Sequence, residues 1–290
     1  MKSIAVQIIN AFIDNGKGGN PAGVVLNADN LTRDEKLKIA AKVGLSETAF
    51  VSKSKIAEYK LDFFTPNRQI AHCGHATIAT FSYLSQKELI KNKYSSKETI
   101  DGVREIVLND GIAFMEQRAP KYTDVSNRIE IILRSLGIEK KDLIENHPVS
   151  VVNTGNSFLI IPVKDEVTLK QIEPDLGLIK QISEEFDLIG YYVFCHQTEN
   201  GKRDANARMF APRYGIEEEA GTGMAAGPLA CYLNEKCKLL KDTYYIQQGW
   251  FMKSPSPSLI KVELTFENGA ISKIMAGGKG KIMAETIVEI

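Results

Sequence analysis

The chain has 290 residues, 43% of them hydrophobic, and its 36 Lys and Arg balance 36 Asp and Glu. That length and apolar content suffice for two cores of ordinary domain size. The charge balance leaves no broad footprint for nucleic acid or an anionic membrane, and no apolar run approaches the length of a membrane span. The N-terminal stretch is too short and too alternating for a signal peptide, so a cytoplasmic location is expected. Four scattered cysteines, Cys73, Cys195, Cys231 and Cys237, read as free thiols.

In chain order, strands are predicted at 4–9, 23–26, 48–51, 59–64, 105–108 and 112–116. Thr32-Arg33-Asp34-Glu35 has capping-box spacing and starts a helix running to Val43, with Gly44 as its stop. A second helix is predicted from Gly74 to about Ser85. After a polar stretch at 119–127, helices fit 127–136 and 174–186, and strands fit 149–152, 158–163, 190–195 and 207–210. A helix at 223–233 follows, then strands at 243–247, 260–266, 270–275 and 282–288, with Asn268-Gly269 as a hairpin turn. Many strands and few helices, without strict alternation, argue for an α+β fold.

The chain repeats its own punctuation. Gly19-Asn20 and Gly155-Asn156 each lead into an apolar run. Phe64-Thr65-Pro66 and Phe210-Ala211-Pro212 each have an Ile six residues after the Phe, and Gly74 and Gly223 each sit nine residues before a Tyr. Duplication predicts two pseudo-symmetric lobes, residues 1–118 and 119–278, with the terminal strand near 279–290 returning to the first. Chemistry is then expected in the cleft between them.

Candidate site residues cluster at the repeated points. Cys73-Gly74-His75 and Gly223-Met224 open helices whose first-turn amides lack intrahelical partners and lie at the positive end of the dipole, where a carboxylate or enolate oxygen can rest. The plainer reading is that both glycines only permit tight turns. Glu47, flanked by apolar residues at a strand start, is placed to lose solvent and titrate usefully. In the run Glu217-Glu218-Glu219, otherwise a solvated charge cluster, one carboxylate is expected to face the site. His72 and His75 flank Cys73 too closely for ordinary metal ligation, so no metal is expected.

Taken together, Gly-Asn-Pro-Ala-Gly-Val-Val at 19–25, Leu-Ser-Glu-Thr-Ala-Phe-Val at 45–51, Phe-Phe-Thr-Pro…Cys-Gly-His-Ala-Thr at 63–77 and Asn-Thr-Gly-Asn-Ser-Phe-Leu at 153–159 resemble the phenazine-biosynthesis PhzF-like family. The segment 208–223 and Gln248-Gly249 continue the likeness over nearly the whole chain. The resemblance implies a diaminopimelate-epimerase-like fold, each lobe a curled sheet around a central helix. It also implies cofactor-independent isomerases or epimerases, often homodimeric, whose best-known member isomerises dihydro-3-hydroxyanthranilate. Glu47 matches the family's proton-shuttling Glu, His75 its Gly-His motif, and Glu219 stands where the family usually has Asp. Ala220 and Met224 depart from the family's Pro and Ser.

The expected enzyme is therefore an isomerase acting on a small carboxylate, with Glu47, His75 and Glu219 as its catalytic groups. Asn20, Cys73, Gly74, Asn153, Gly155, Gly223 and Met224 are the expected substrate-binding residues. Two-thiol racemase chemistry is disfavoured, because Ala220 occupies the place of the second cysteine. The rival is a non-catalytic binding protein that kept the fold. A nicotinamide or nucleotide enzyme has neither a G-x-G-x-x-G nor a P-loop sequence to support it.

Overall fold

A computed structural model describes residues 2–196, 198 and 201–290. Its first part runs β1 (Ser3–Ala11), β2 (Asn20–Val25), α1 (Arg33–Val43), β3 (Thr48–Lys53), β4 (Tyr59–Phe64), β5 (Gln69–Ile70), α2 (Gly74–Gln86), β6 (Tyr94–Thr99), β7 (Gly102–Asn109) and β8 (Ile112–Gln117). Then come β9 (Lys121–Asp124), α3 (Ile129–Arg134), β10 (Ser150–Asn153), β11 (Ser157–Pro162), α4 (Glu166–Gln171), α5 (Leu176–Glu185), β12 (Gly190–Cys195) and β13 (Ala205–Ala211). The remainder is β14 (Ile216–Glu219), α6 (Gly223–Glu235), β15 (Thr243–Gln248), β16 (Ser258–Glu267), β17 (Ala270–Lys279) and β18 (Lys281–Glu289). Two units divide the chain, Met1–Glu116 with Gly277–Ile290, and Gln117–Ala276.

The duplication read in the sequence is written into the strand pairing. In the first unit, β1–β2, β2–β3, β3–β4, β4–β6 and β6–β7 pair in turn antiparallel, parallel, antiparallel, parallel and antiparallel. In the second, β10–β11, β11–β12, β12–β13, β13–β15 and β15–β16 follow the same sequence. Short β5 and β14 hang antiparallel from β4 and β13 at matching places. A parallel pair needs a crossover, and α1 supplies it between β2 and β3, as α4 and α5 do between β11 and β12.

Each half-sheet packs on one buried helix. From Gly74 to Leu84, α2 is buried without interruption, and it lies against β1, β2 and β3. Its counterpart α6 packs on β10, β11 and β16. Burial on every side marks both as core helices rather than surface ones. Val6, Val25, Ile39, Phe50 and Phe64 belong to one core cluster of the first unit, with Phe50 and Phe64 edge to face at 5.5 Å. In the second unit, Val151, Leu159, Ile161, Val193 and Phe210 do the same.

Local signals hold where they are strongest. At α1 the Thr32 hydroxyl accepts from the Glu35 amide, the Glu35 carboxylate accepts from the Thr32 amide, and Gly44 closes the helix with φ 71°. Asn268 and Gly269 both have positive φ, 51° and 79°, as the predicted hairpin turn demands. The helix expected at 127–136 is shorter, a 3-10 turn at Ser126–Arg128 followed by α3. The polar stretch at 119–127 contains β9, and the glutamate run lies in β14. Strand β6 was silent because its inward residues are Ser95, Lys97 and Thr99, so no apolar alternation marks it. Among the described residues, no helix is long and apolar enough to cross a membrane.

Candidate active site

In the first unit, three predicted residues meet. Glu47 immediately precedes β3, its carbonyl accepting from the Gly23 amide at 3.1 Å. Cys73, extended at φ −145° and ψ 122°, leads into α2, and His75 lies in the first turn. His75 Nε2 stands 3.2 Å from Glu47 Oε2, with the two side chains only 4% and 8% exposed. On the other edge of the ring, Nδ1 lies 3.6 Å from Cys73 Sγ.

Burial pushes the Cys73 thiol above its ordinary range against the opposing pull of His75, and Glu47 adds to the rise. The site therefore holds a protonated thiol at neutral pH rather than a thiolate nucleophile. One donor atom from each of Glu47, Cys73 and His75 lies within 4.8 Å of the others, a set able to hold a metal ion. The imidazole stands between its neighbours, Nε2 toward Glu47 and Nδ1 toward Cys73.

The second unit carries the other predicted group. Thr222 precedes α6, and its hydroxyl donates to the Glu219 carboxylate. Gln248, fully buried at the end of β15, ties this corner together. Its Oε1 accepts from the Thr222 amide at 3.0 Å and the Tyr192 hydroxyl at 2.9 Å. Its Nε2 donates to the Glu219 carbonyl at 2.7 Å and to Thr222 Oγ1 at 3.1 Å. Gly249 beside it has φ +81°, and a Cβ there would meet the Ala220 carbonyl at 2.6 Å and the Ser256 carbonyl at 2.3 Å. Only glycine allows that approach.

The three glutamates separate in role. Glu218 pairs with Arg208 at 2.8 Å, an ion pair whose side chains are mostly buried. Glu219 turns to Thr222, and Glu217 is exposed. Met224 is half-buried in the first turn of α6.

Helix starts differ in a telling way. Side chains cap α1 (Thr32), α4 (Asp165) and α5 (Asp175). The two buried helices, α2 and α6, have no side-chain cap at Cys73 or Thr222, and short α3 has none at Arg128.

Other predicted residues are placed less directly. Asn153 accepts from the Gly155 amide at 2.9 Å and donates to the Ser157 hydroxyl at 2.8 Å, so its side chain braces its own turn. Asn20 is buried at the start of β2. Sequence reasoning did not single out Tyr192 or Lys97, and Thr77 and Gln248 entered only as parts of motifs. No spacing rule marks such residues, because their partners come from distant strands.

The duplicated ladder, with Glu47 and His75 in buried contact in its first unit, is an α+β fold of two similar half-sheets. A hydroxyproline epimerase of Agrobacterium vitis, whose structure holds trans-4-hydroxy-L-proline, shares it with a TM-score of 0.61 over 99% of this chain and 92% of that one. At 12% identity the likeness is of fold alone. The chain belongs to the family described as phenazine biosynthesis-like protein, whose pattern matches residues 9–286. A PhzF-family phenazine biosynthesis protein of Bacillus anthracis superposes with a TM-score of 0.90, 29% identical, with both chains covered completely. An uncharacterized isomerase of Clostridium acetobutylicum is 36% identical over 78% of this chain and 77% of its own. The protein is an enzyme of this isomerase family.

Proposed function

We propose that this protein is a cofactor-independent isomerase or epimerase that shuttles a proton on a small carboxylate substrate, with Glu47 as general acid and base. The observation that carries the reading is the buried contact of Glu47 with His75, 3.2 Å between Oε2 and Nε2, at the uncapped start of α2. Out of water, a carboxylate beside an imidazole can take a proton from an acidified carbon and return it at another position, with no net change in protons. His75 orients that carboxylate. The first-turn amides of α2 suit the substrate's carboxylate or the oxygen that gains charge as the proton leaves. Glu219, held by Thr222 and Gln248, is the second polar group of the reading, with Gly223 and Met224 beside it. That the distant fold neighbour binds hydroxyproline, itself a small carboxylate, supports the substrate class. A homodimer, which light scattering would detect, and a cytoplasmic location complete the proposal.

Incubation with trans-2,3-dihydro-3-hydroxyanthranilate and a panel of small amino and hydroxy carboxylates in D₂O tests it. Deuterium uptake or isomerisation by the wild type and not by Glu47→Gln is the expected result. Full activity in Glu47→Gln would remove Glu47 from its role.

A further inference from the structure

Behind the first turn of α2 lies a group that the acid–base chemistry leaves unused. Lys97, on β6, is fully buried. Its Nζ donates to the Thr77 hydroxyl at 2.6 Å, stands 3.3 Å from His72 Nδ1 and lies 5.1 Å from the centre of the Phe63 ring. The Thr77 hydroxyl donates in turn to the Cys73 carbonyl at 2.6 Å. A hydroxyl has one proton to give, so Thr77 accepts from Lys97 because it gives to Cys73. The chain of bonds is directional, from Lys97 through Thr77 to the residue that leads α2 and is followed two positions on by His75.

These partners are a hydroxyl, an imidazole and a ring face, none of them an anion. Burying an ammonium among neutral groups is costly, and an apolar side chain of similar length would fill the same space without that cost. A retained cation at this place is therefore better explained by what it does to the turn in front of it.

We infer that Lys97 is a positioning residue for the Glu47–His75 pair, fixing the Cys73–Thr77 turn and setting positive charge behind the first-turn amides of α2. The inference rests on the acid–base reading of that pair. The charged and titratable groups around Lys97 come from each element packed on it. They are His72 and Cys73 ahead of α2, Tyr59 across the ladder on β4, Arg104 opposite on β7, and Asp101 in the β6–β7 turn. Burial, opposed by Cys73 and Asp101 and aided by Arg104, leaves Lys97 lowered to about 7. His72 is held well below its ordinary range by burial, Lys97 and Arg104, so it stays neutral while Lys97 titrates.

The test compares wild type with Lys97→Met and Thr77→Val, the second removing the hydroxyl while keeping the side chain's shape. Steady-state kinetics on an accepted carboxylate, from pH 6 to 9, should show kcat reduced by at least about tenfold in Lys97→Met. The kcat/KM of the wild type should decline above pH 7 through a step that the variant lacks. Nitrogen-15 shifts of the His75 imidazole give a readout that needs no turnover. A step near pH 7 is expected in the wild type, absent from Lys97→Met and reduced in Thr77→Val. If Lys97→Met does not fold, Thr77→Val carries both measurements. Unchanged kcat together with an unchanged His75 titration would overturn the inference. Wild type inactive on every carboxylate, with the His75 step still dependent on Lys97, would instead defeat the acid–base reading and leave the coupling standing.

Discussion

Glu47 and His75 belong to different elements, a strand entry and a helix start, yet their side chains meet at 3.2 Å in a nearly solvent-free setting. The imidazole is also the bridge to Cys73, whose thiol lies 3.6 Å from the other ring nitrogen. Replacing His75 by Phe keeps a planar ring and removes both polar contacts. Turnover is expected to fall by about ten- to a hundredfold, with stability lowered by about 1–3 kcal/mol. Parallel kinetics and urea denaturation check both, and unaltered kcat would detach His75 from the reaction.

Gln248 makes four hydrogen bonds while fully buried. In Gln248→Ala, the Tyr192 hydroxyl and the Thr222 amide lose their shared acceptor inside the protein. A cost of about 1–3 kcal/mol for each unsatisfied group is expected. Chemical denaturation showing less than about 0.5 kcal/mol in total would mean that the corner rearranges freely.

The capping box at Thr32 and Glu35 is distant in the chain from the site residues and closes the exposed end of α1. Thr32→Ala should cost about 1 kcal/mol, read as a lower urea midpoint, while leaving kcat unchanged. A change in kcat would mean that α1 supports the site directly.

Stability should also respond to pH through Lys97. Its folded value is lowered from 10.5 to about 7, so between those limits the unfolded chain holds a proton that the folded chain has released. Stability from this group therefore rises as pH increases from about 7 toward 10.5, and below 7 the cost of the buried charge is felt in full. Cysteine and tyrosine titrations overlap this range, so the difference between wild type and Lys97→Met isolates the lysine. That difference should shrink as pH rises from 7 to 10, followed by urea midpoints. A constant difference would show that Lys97 stays charged when folded.

Much of the architecture was legible without the fold. The Thr32–Gly44 helix, the Asn268–Gly269 turn and the starts at Gly74 and Gly223 were all marked by residues within a few positions of each other. Where inward positions were polar, as at Ser95, Lys97 and Thr99 of β6, the periodicity signal vanished. The glutamate run could not be apportioned for a related reason: one strand sent Glu218 to Arg208 and Glu219 to Thr222, two destinations that composition cannot distinguish.

What the chain determined by itself was its duplication and the local geometry of its helices and turns, because capping, φ preference and apolar spacing act between near neighbours. Only the tertiary structure decided which polar groups met. It brought Glu47 to His75, laid Lys97 beneath Thr77 and closed Gln248 over the start of α6. Such encounters depend on strand register and helix packing between segments far apart in the chain, and no local signal encodes them.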